Sequence, residues 1–241
     1  MRGRRGRRVT HVASSRGASS TAGAGRAVAR EATGDPGSGS ELTRFGGWAA
    51  IAAAVVAIVY SVAFVAADLI SSNSLEVLVY SAALVAGGIL SVIALVAAYE
   101  RIRLGTGGLA LLGLALGVAG TLGAVIHGAY DLANVIHPPA ALPASDLPFP
   151  VDPRGLLTFG VSGLGVLTLS AAALRNATMP RNLAQLGMAL GVLLVIVYLG
   201  RLIVLDPKSI LIVAPAGITG LIVSPLWYAW IGRELLRVAR A

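Results

Sequence analysis

The twenty residues GGLALLGLALGVAGTLGAVI, at positions 107–126, contain no charged side chain. A helix needs about twenty mainly apolar residues to cross roughly 30 Å of hydrocarbon. Five further stretches of this kind occur in the 241-residue chain. Backbone polar groups find no partners in lipid, so each stretch is predicted to be a helix, and none alternates as a β-barrel strand would. The six predicted spans lie at about 47–67, 77–99, 107–130, 155–174, 183–204 and 210–232.

The composition supports the same fold class. Hydrophobic residues make up 56% of the chain and charged residues only 12%, whereas a soluble domain carries about a quarter charged residues. The absence of cysteine excludes disulfides, thiolate metal sites and cysteine nucleophiles. We therefore predict an all-α integral membrane protein in which residues 45–241 form a six-helix transmembrane bundle. The abundance of arginine, alanine and glycine favours a bacterial chain and the cytoplasmic membrane.

The distribution of basic residues predicts how the bundle is oriented. Alternate connections and the two termini carry sixteen of the 19 lysines and arginines. Loops rich in Lys and Arg tend to stay in the cytoplasm, so both termini are predicted to be cytoplasmic. Trp48, Trp227, Tyr228 and Trp230 would then form an aromatic belt on that face. The first apolar stretch could instead be a cleaved signal peptide, but it is longer than such a segment usually is.

Residues 1–44 are rich in Arg, Gly, Ser, Ala and Thr and hold few large apolar side chains. Such a segment cannot bury enough surface to offset its ordering entropy, so we predict a disordered basic tail. The tail either attracts anionic lipid head groups or only sets the topology. No nucleic-acid partner is expected, because aromatic residues for base stacking are missing. The basic cluster comprises Arg2, Arg4, Arg5, Arg7 and Arg8.

The third and fifth spans open with similar sequences. LALLGLALGV at 109–118 and LAQLGMALGV at 183–192 agree at eight of ten positions, 74 residues apart. This similarity predicts a tandem repeat in which helices 2–3 correspond to helices 4–5, with the copies related by an axis along the membrane normal.

Each copy also contains a pair of glycines one helical turn apart. Small residues at this spacing let helix backbones approach closely in a membrane. We expect helices 3 and 5 to cross at these positions, with formation of a homo-oligomer or a complex with another membrane protein as the alternative use. The four glycines are Gly113, Gly117, Gly187 and Gly191.

A polar stripe ends the third span, where residues three or four apart share one helical face. The helix should stop before Pro138 and Pro139. The repeat offset places Arg201 of the fifth span at the level of the first stripe residue, and ionisable groups at this depth usually face the protein interior. The stripe comprises His127, Tyr130, Asp131, Asn134 and His137.

Three interpretations of these residues remain open. In a structural one, Asp131 pairs with Arg201 or Arg201 simply extends to the outer interface, and the other groups satisfy neighbouring carbonyls or water. In a second, Arg201 anchors a small anionic ligand while His127 and Asp131 form a titrating pair that relays protons. In a third, His127 and Asp131 ligate a metal or a haem, but zinc needs three or four ligands and no convincing others occur. No metal or cofactor is therefore predicted.

Two prolines interrupt the last span. Pro215 and Pro225 each remove a backbone hydrogen bond, which predicts a kinked helix. Broken helices at membrane depth line substrate sites in transporters, so a functional hinge is the alternative interpretation.

Two motifs carry a resemblance. Met179-Pro180-Arg181-Asn182-Leu183 leads into the fifth span, and LWYAWIGREL at 226–235 closes the sixth. With the six-helix pattern, they resemble uncharacterised bacterial multi-pass membrane proteins of unknown function. That resemblance implies architecture over roughly residues 45–240 and no activity.

The chain has no nucleophile elbow, phosphate-binding loop or His-Glu-x-x-His zinc helix. An enzyme is therefore disfavoured. The leading hypothesis is a non-enzymatic membrane protein whose outer-facing polar pocket binds a small ligand or a partner. The alternatives are a small proton-coupled carrier, and a membrane enzyme or a metal- or haem-binding subunit.

Overall fold

The computed structural model describes residues 36–69, 74–138, 154–204 and 209–240, and the regular elements in these ranges are all helical. The α-helices are α1 (Pro36–Leu69), α2 (Ser74–Ile102), α3 (Gly107–Ile136), α4 (Ser162–Asn176), α5 (Arg181–Ile203), α6 (Ile210–Ile218) and α7 (Ser224–Val238). Two π-helical turns are continuous with them: Leu156–Val161 leads into α4, and Thr219–Val223 joins α6 to α7.

Six of these helical stretches are long and apolar enough to cross a membrane, which confirms the predicted number of spans. The spans are Ser40–Ala66, Leu75–Ile102, Gly107–Ile136, Leu156–Asn176, Arg181–Ile203 and Ile210–Val238. Helix α3 ends before Pro138, where the sequence predicted a stop.

The chain divides into two units, Met1–Gly39 and Ser40–Ala241. Helix α1 begins at Pro36, so residues 36–44 of the predicted tail are helical. Residues 1–35 of that tail, with its arginine cluster, lie outside the described residues. All that follows concerns the second unit.

Consecutive spans in this unit run antiparallel and meet at glycines. A Cβ atom built on Gly88 of α2 would lie 2.6 Å from the Cγ2 of Val125 in α3. One built on Gly113 of α3 would lie 2.6 Å from the backbone nitrogen of Leu169 in α4. Only a hydrogen side chain fits at such crossings, so these backbones approach as closely as helices can.

The expected crossing of helices 3 and 5 is wrong, because α4 lies between them. Gly117 faces Gly165 of α4 and Leu95 of α2. On the other side of α4, a Cβ atom built on Gly191 of α5 would lie 2.6 Å from the carbonyl oxygen of Gly163. Gly187 faces Ser170 of α4 and the indole of Trp227. Small residues of α4 therefore pack against the glycines of both α3 and α5.

The aromatic residues of the last helix do not all form a belt. Trp227 and Tyr228 are buried in the core, where their rings meet edge to face with centroids 4.9 Å apart. Trp48 is exposed, as a belt residue would be. Trp227 fills the space over Gly187, which a sequence-based hydropathy argument does not predict.

One asparagine ties three elements together at the end of the bundle where α2 and α4 end. The Nδ2 atom of Asn176 lies 2.6 Å from the carbonyl oxygen of Ile102 and 3.0 Å from that of Leu104. It also lies 3.1 Å from the hydroxyl of Thr106, which precedes α3. We call this the proximal end, and the opposite one, where α1, α3 and α5 end, the distal end.

The sixth span departs from α-helical geometry between its two prolines. Pro215 lies within α6, and the π-helical turn begins four residues later at Thr219. The hydroxyl of Thr219 donates to the carbonyl oxygen of Pro215 at 2.6 Å. Pro225 lies in the first turn of α7, directly after the π-helical turn. The irregularity follows Pro215 and precedes Pro225.

Candidate functional site

A cavity of about 500 Å³ occupies the distal half of the bundle, and all six spans contribute to its wall. Ala57 of α1 lies at its deep side, nine residues before Ala66, which corresponds to about 14 Å along a helix. We call it the distal cavity. Its charged and polar lining residues are Tyr60, Ser61, Tyr80, His127, Asp131, Arg154, Tyr198, Arg201, Thr219 and Ser224.

An ion pair joins the third and fourth spans at this cavity. The Nη1 atom of Arg154 donates to the Oδ1 atom of Asp131 at 3.0 Å. It also lies 3.4 Å from the carbonyl oxygen of His127. The side chains of Asp131 and Arg154 are 18% and 27% exposed, so the pair is shielded from water without being fully buried. One of the three interpretations of the sequence paired Asp131 with Arg201, but in the structure Arg154 holds this carboxylate.

His127 extends this network in the other direction. Its Nδ1 atom lies 3.2 Å from the hydroxyl of Thr158, and its Nε2 atom lies 3.6 Å from Oδ2 of Asp131. The hydroxyl of Thr158 donates its proton to the carbonyl oxygen of Arg154 at 3.0 Å, so toward His127 it acts as an acceptor. In that arrangement Nδ1 carries a proton. The imidazole therefore bridges the π-helical turn and the ion pair.

Arg201 lines the same cavity from α5, and its side chain is exposed. It makes no ion pair or hydrogen bond with the part of the chain that the structure describes. Among the charged lining residues, one carboxylate therefore faces two guanidinium groups, and Arg154 already neutralises that carboxylate. Among the described lining residues, the charge that remains uncompensated is therefore the positive charge of Arg201.

The rest of the polar stripe lies away from the cavity. Tyr130 is 56% exposed, and the Cζ atom of Arg154 lies 4.2 Å from the centroid of its ring. This cation–π contact holds Arg154 from the side opposite the cavity. Asn134 is partly buried and His137 is exposed, and neither lines the cavity. Only His127 and Asp131 of the stripe, together with Arg201, meet there.

Aromatic rings form one wall of the cavity. Phe64 lies 5.8 Å from Tyr60 and 5.6 Å from Tyr80, measured between ring centroids. On the opposite wall, the ring of Tyr198 packs over Gly160, whose added Cβ would lie 3.2 Å from the ring. The hydroxyls of Tyr60 and Tyr198 have no hydrogen-bond partner in the described ranges. Two donors are thus left for whatever occupies the cavity.

Both π-helical turns contribute to the wall, through Phe159 in one and Thr219 and Gly220 in the other. Such turns occur often at functional sites. A Cβ built on Gly220 would collide with the hydroxyl oxygen of Ser61, so the sixth span lies directly against α1 there. One built on Gly217 would meet nothing within 4 Å. Gly217 therefore borders open space in the cavity.

The described residues contain no cluster of three or more His, Cys, Asp or Glu side chains that could hold a metal ion. The distal cavity instead presents arginine, histidine and tyrosine donors. No protein-family profile matches the chain, and no curated protein or solved structure matches it either. The resemblance to uncharacterised bacterial six-helix proteins stays a prediction. The cavity is therefore the feature that bears on function.

Several residues of the cavity and of its polar network are not among the candidates that the sequence identifies: Arg154, Tyr60, Tyr198 and Thr158. Thr158 gives no signal, because a single threonine in an apolar helix is common. Arg154 does offer one: it directly precedes the predicted fourth span at 155–174, and Asp131 directly follows the predicted third span at 107–130.

Proposed function

We propose that this multi-pass membrane protein binds a small ligand in the distal cavity and does so without catalysing a reaction. The observation that carries the proposal is the lone guanidinium of Arg201 in a cavity whose only charged pair, within the described residues, is already complete. An uncompensated charge at membrane depth is costly and usually marks a site. A volume of about 500 Å³ is also within the usual range for small-molecule pockets.

One structural interpretation needed Arg201 to hold Asp131, and another had Arg201 extend to the outer interface. Arg154 holds Asp131 instead, and Tyr130 and Thr158 complete its surroundings. The network is therefore closed without Arg201. Arg201 also lines the distal cavity, which supports ligand binding as its role.

A carrier is the second candidate, and the interrupted sixth span favours it. Gly217 and the π-helical turn, which follow Pro215, lie at the cavity wall, as broken helices do at transporter sites. Close helix crossings fill the proximal half, for example Gly47 of α1 against Gly232 of α7. A carrier would have to open these crossings in a second conformation, whereas a binding protein would not.

Orientation and location complete the proposal. The excess of Lys and Arg on the proximal connections supports cytoplasmic termini, which would place the distal cavity in the outer half of the cytoplasmic membrane. Anionic lipids would attract the N-terminal arginines. The similarity between positions 109–118 and 183–192 supports a tandem duplication, in which His127 and Arg201 diverged from equivalent positions.

Native mass spectrometry of the protein, extracted from its own membrane in nanodiscs, tests ligand binding. We expect wild type to retain a small molecule that Gly217→Leu loses, because the leucine side chain fills open cavity space. Gly108→Leu is the matched control: its Cβ also meets nothing within 4 Å, but it lies at the start of α3, far from the cavity. The proposal is overturned if both variants and wild type carry the same set of bound molecules.

A further inference from the structure

We infer that the ligand is an amphiphile with one anionic group, carboxylate or phosphate, on an apolar body, and that Arg201 binds the anionic group. This inference rests on the proposed function and specifies the chemical class of its ligand. The charges of the cavity, the chemistry of its deep wall and its free hydroxyl donors support this ligand class.

The charges set the sign and the number of ionic groups. Asp131 is held by Arg154 at 3.0 Å, which leaves Arg201 as the charge without an ion-pair partner among the described lining residues. A cationic ligand would face Arg201 with no free carboxylate to receive it. A ligand with two separated anionic groups would have to displace Asp131 from Arg154. One anionic group completes the set.

The exposed side chain of Arg201 places that anionic group at the distal mouth of the cavity. A guanidinium binds a carboxylate or a phosphate through two parallel hydrogen bonds, so either head group suits it. The hydroxyls of Tyr60 and Tyr198, which have no partner among the described residues, are further donors on two opposite walls.

The deep part of the cavity requires an apolar body. Away from the charged groups its wall is mostly aliphatic and aromatic, and it extends about 14 Å from the end of the first span. A fully hydrated ion would leave that surface uncovered or filled with poorly bonded water. An apolar chain covers it and gains the free energy of removing apolar surface from water. The apolar wall residues include Ala57, Phe64, Phe159, Leu194, Val197, Ile212, Val213 and Leu221.

Equilibrium binding of radiolabelled octanoate tests the inference. The full-length protein is reconstituted in phosphatidylcholine nanodiscs, and the signal from empty nanodiscs is subtracted to remove partitioning into lipid. We expect saturable binding that unlabelled octyl phosphate displaces. Octanol, octyltrimethylammonium and acetate should displace at least tenfold more weakly, since each lacks the anionic group or the apolar body.

Arg201→Gln should weaken octanoate binding about ten- to a hundredfold, the usual range for one charge-assisted contact. Arg201→Lys should retain most of the affinity, because it keeps the charge. Arg233→Gln is the matched control, since Arg233 is an exposed arginine of α7 outside the cavity. It should bind octanoate like wild type. Equal binding by Arg201→Gln and wild type would overturn the inference.

A lipid or a soluble metabolite can supply the same chemistry, and replacing part of the phosphatidylcholine by phosphatidylglycerol separates the two. Competition by phosphatidylglycerol that Arg201→Gln abolishes assigns the site to a lipid head group. Octanoate binding unaffected by phosphatidylglycerol assigns it to a soluble amphiphile. Both results support the inferred ligand class, whereas displacement by acetate or inorganic phosphate as strong as by octanoate overturns it.

Failure of this inference can be told apart from failure of the proposed function. If octanol binds as tightly as octanoate and Gly217→Leu abolishes both, the cavity binds a ligand of another class. If no probe binds, the inferred ligand class is wrong, and native mass spectrometry of wild type and Gly217→Leu decides whether the cavity binds another ligand. If Gly217→Leu and Gly108→Leu both bind octanoate as wild type does, binding in the cavity is itself wrong.

Discussion

Arg154, which directly precedes the fourth span, donates to the carboxylate of Asp131 in the third span at 3.0 Å. The contact joins two spans whose connecting residues 139–153 lie outside the described ranges. Because Arg154 pairs with Asp131, Arg201 is not the ion-pair partner of this carboxylate. Substitutions in this ion pair therefore test the stability of the fold, whereas substitutions of Arg201 test the proposed ligand site.

Breaking the pair should destabilise the protein. We expect Asp131→Asn to lower the free energy of unfolding by about 2 kcal/mol, between the values typical of exposed and of fully buried ion pairs. In a double-mutant cycle with Arg154→Gln, a coupling energy of about 1 kcal/mol should appear, measured by unfolding in mixed micelles. Additive effects of the two substitutions would show that the contact contributes nothing to stability.

Arg201→Ala should leave stability nearly unchanged. Its guanidinium makes no ion pair with any described residue, so we expect a change within about 0.5 kcal/mol in the same unfolding assay. Asp131→Asn is the comparison that shows the assay can detect a lost ion pair. A loss of several kcal/mol for Arg201→Ala would mean that this residue is structural after all.

Close packing of α3 against α4 should not tolerate a side chain at Gly113. A leucine there must displace the backbone of Leu169, because its Cβ alone would lie 2.6 Å from that nitrogen. Overpacking of this kind costs about 1–3 kcal/mol, which thermal unfolding of the purified protein would detect as a lower Tm. Gly108→Leu, with open space around it, should be neutral or slightly stabilising. Equal melting temperatures for the two variants would contradict the observed crossing.

The cysteine-free chain permits a direct test of orientation and access, since any introduced thiol is the only one present. In intact cells, a membrane-impermeant maleimide should label Gly217→Cys, which lines the distal cavity. It should label Gly108→Cys, at the proximal end, only after the membrane is permeabilised. The reverse pattern would invert the proposed orientation, and no labelling of Gly217→Cys under either condition would mean that the cavity is sealed.

Hydropathy was sufficient to predict the number of membrane-spanning segments, and the prolines were sufficient to predict the end of α3. A twenty-residue apolar run has one solution in lipid, and Pro138 limits how far α3 can continue. The shared face of His127 and Asp131 followed equally directly from helical periodicity. These features are local, so the sequence specifies them without knowledge of the neighbouring helices.

The partners across helices could not be predicted in the same way. From the sequence, the partner of Asp131 could lie on the fourth or on the fifth span, and depth alone did not distinguish Arg154 from Arg201. The glycine pairs were recognised as packing positions, but their spacing carries no information on which helix lies opposite. The π-helical turn at Leu156–Val161 has no proline and no other sequence mark. Such features depend on the arrangement of the whole bundle.

Asn176 gives the two ends of the bundle different mechanical properties. One amide nitrogen links the last turn of α4 to the end of α2 and to the residue before α3, while the other end encloses about 500 Å³ of space. A rigid rod fixed at one end moves most at the other, and the displacement grows with distance from the fixed point. A tilt of a few degrees about this amide would shift the cavity walls by an ångström or more while leaving the proximal crossings almost in place. Adjustment to ligands of different girth would therefore concentrate where the molecule is hollow.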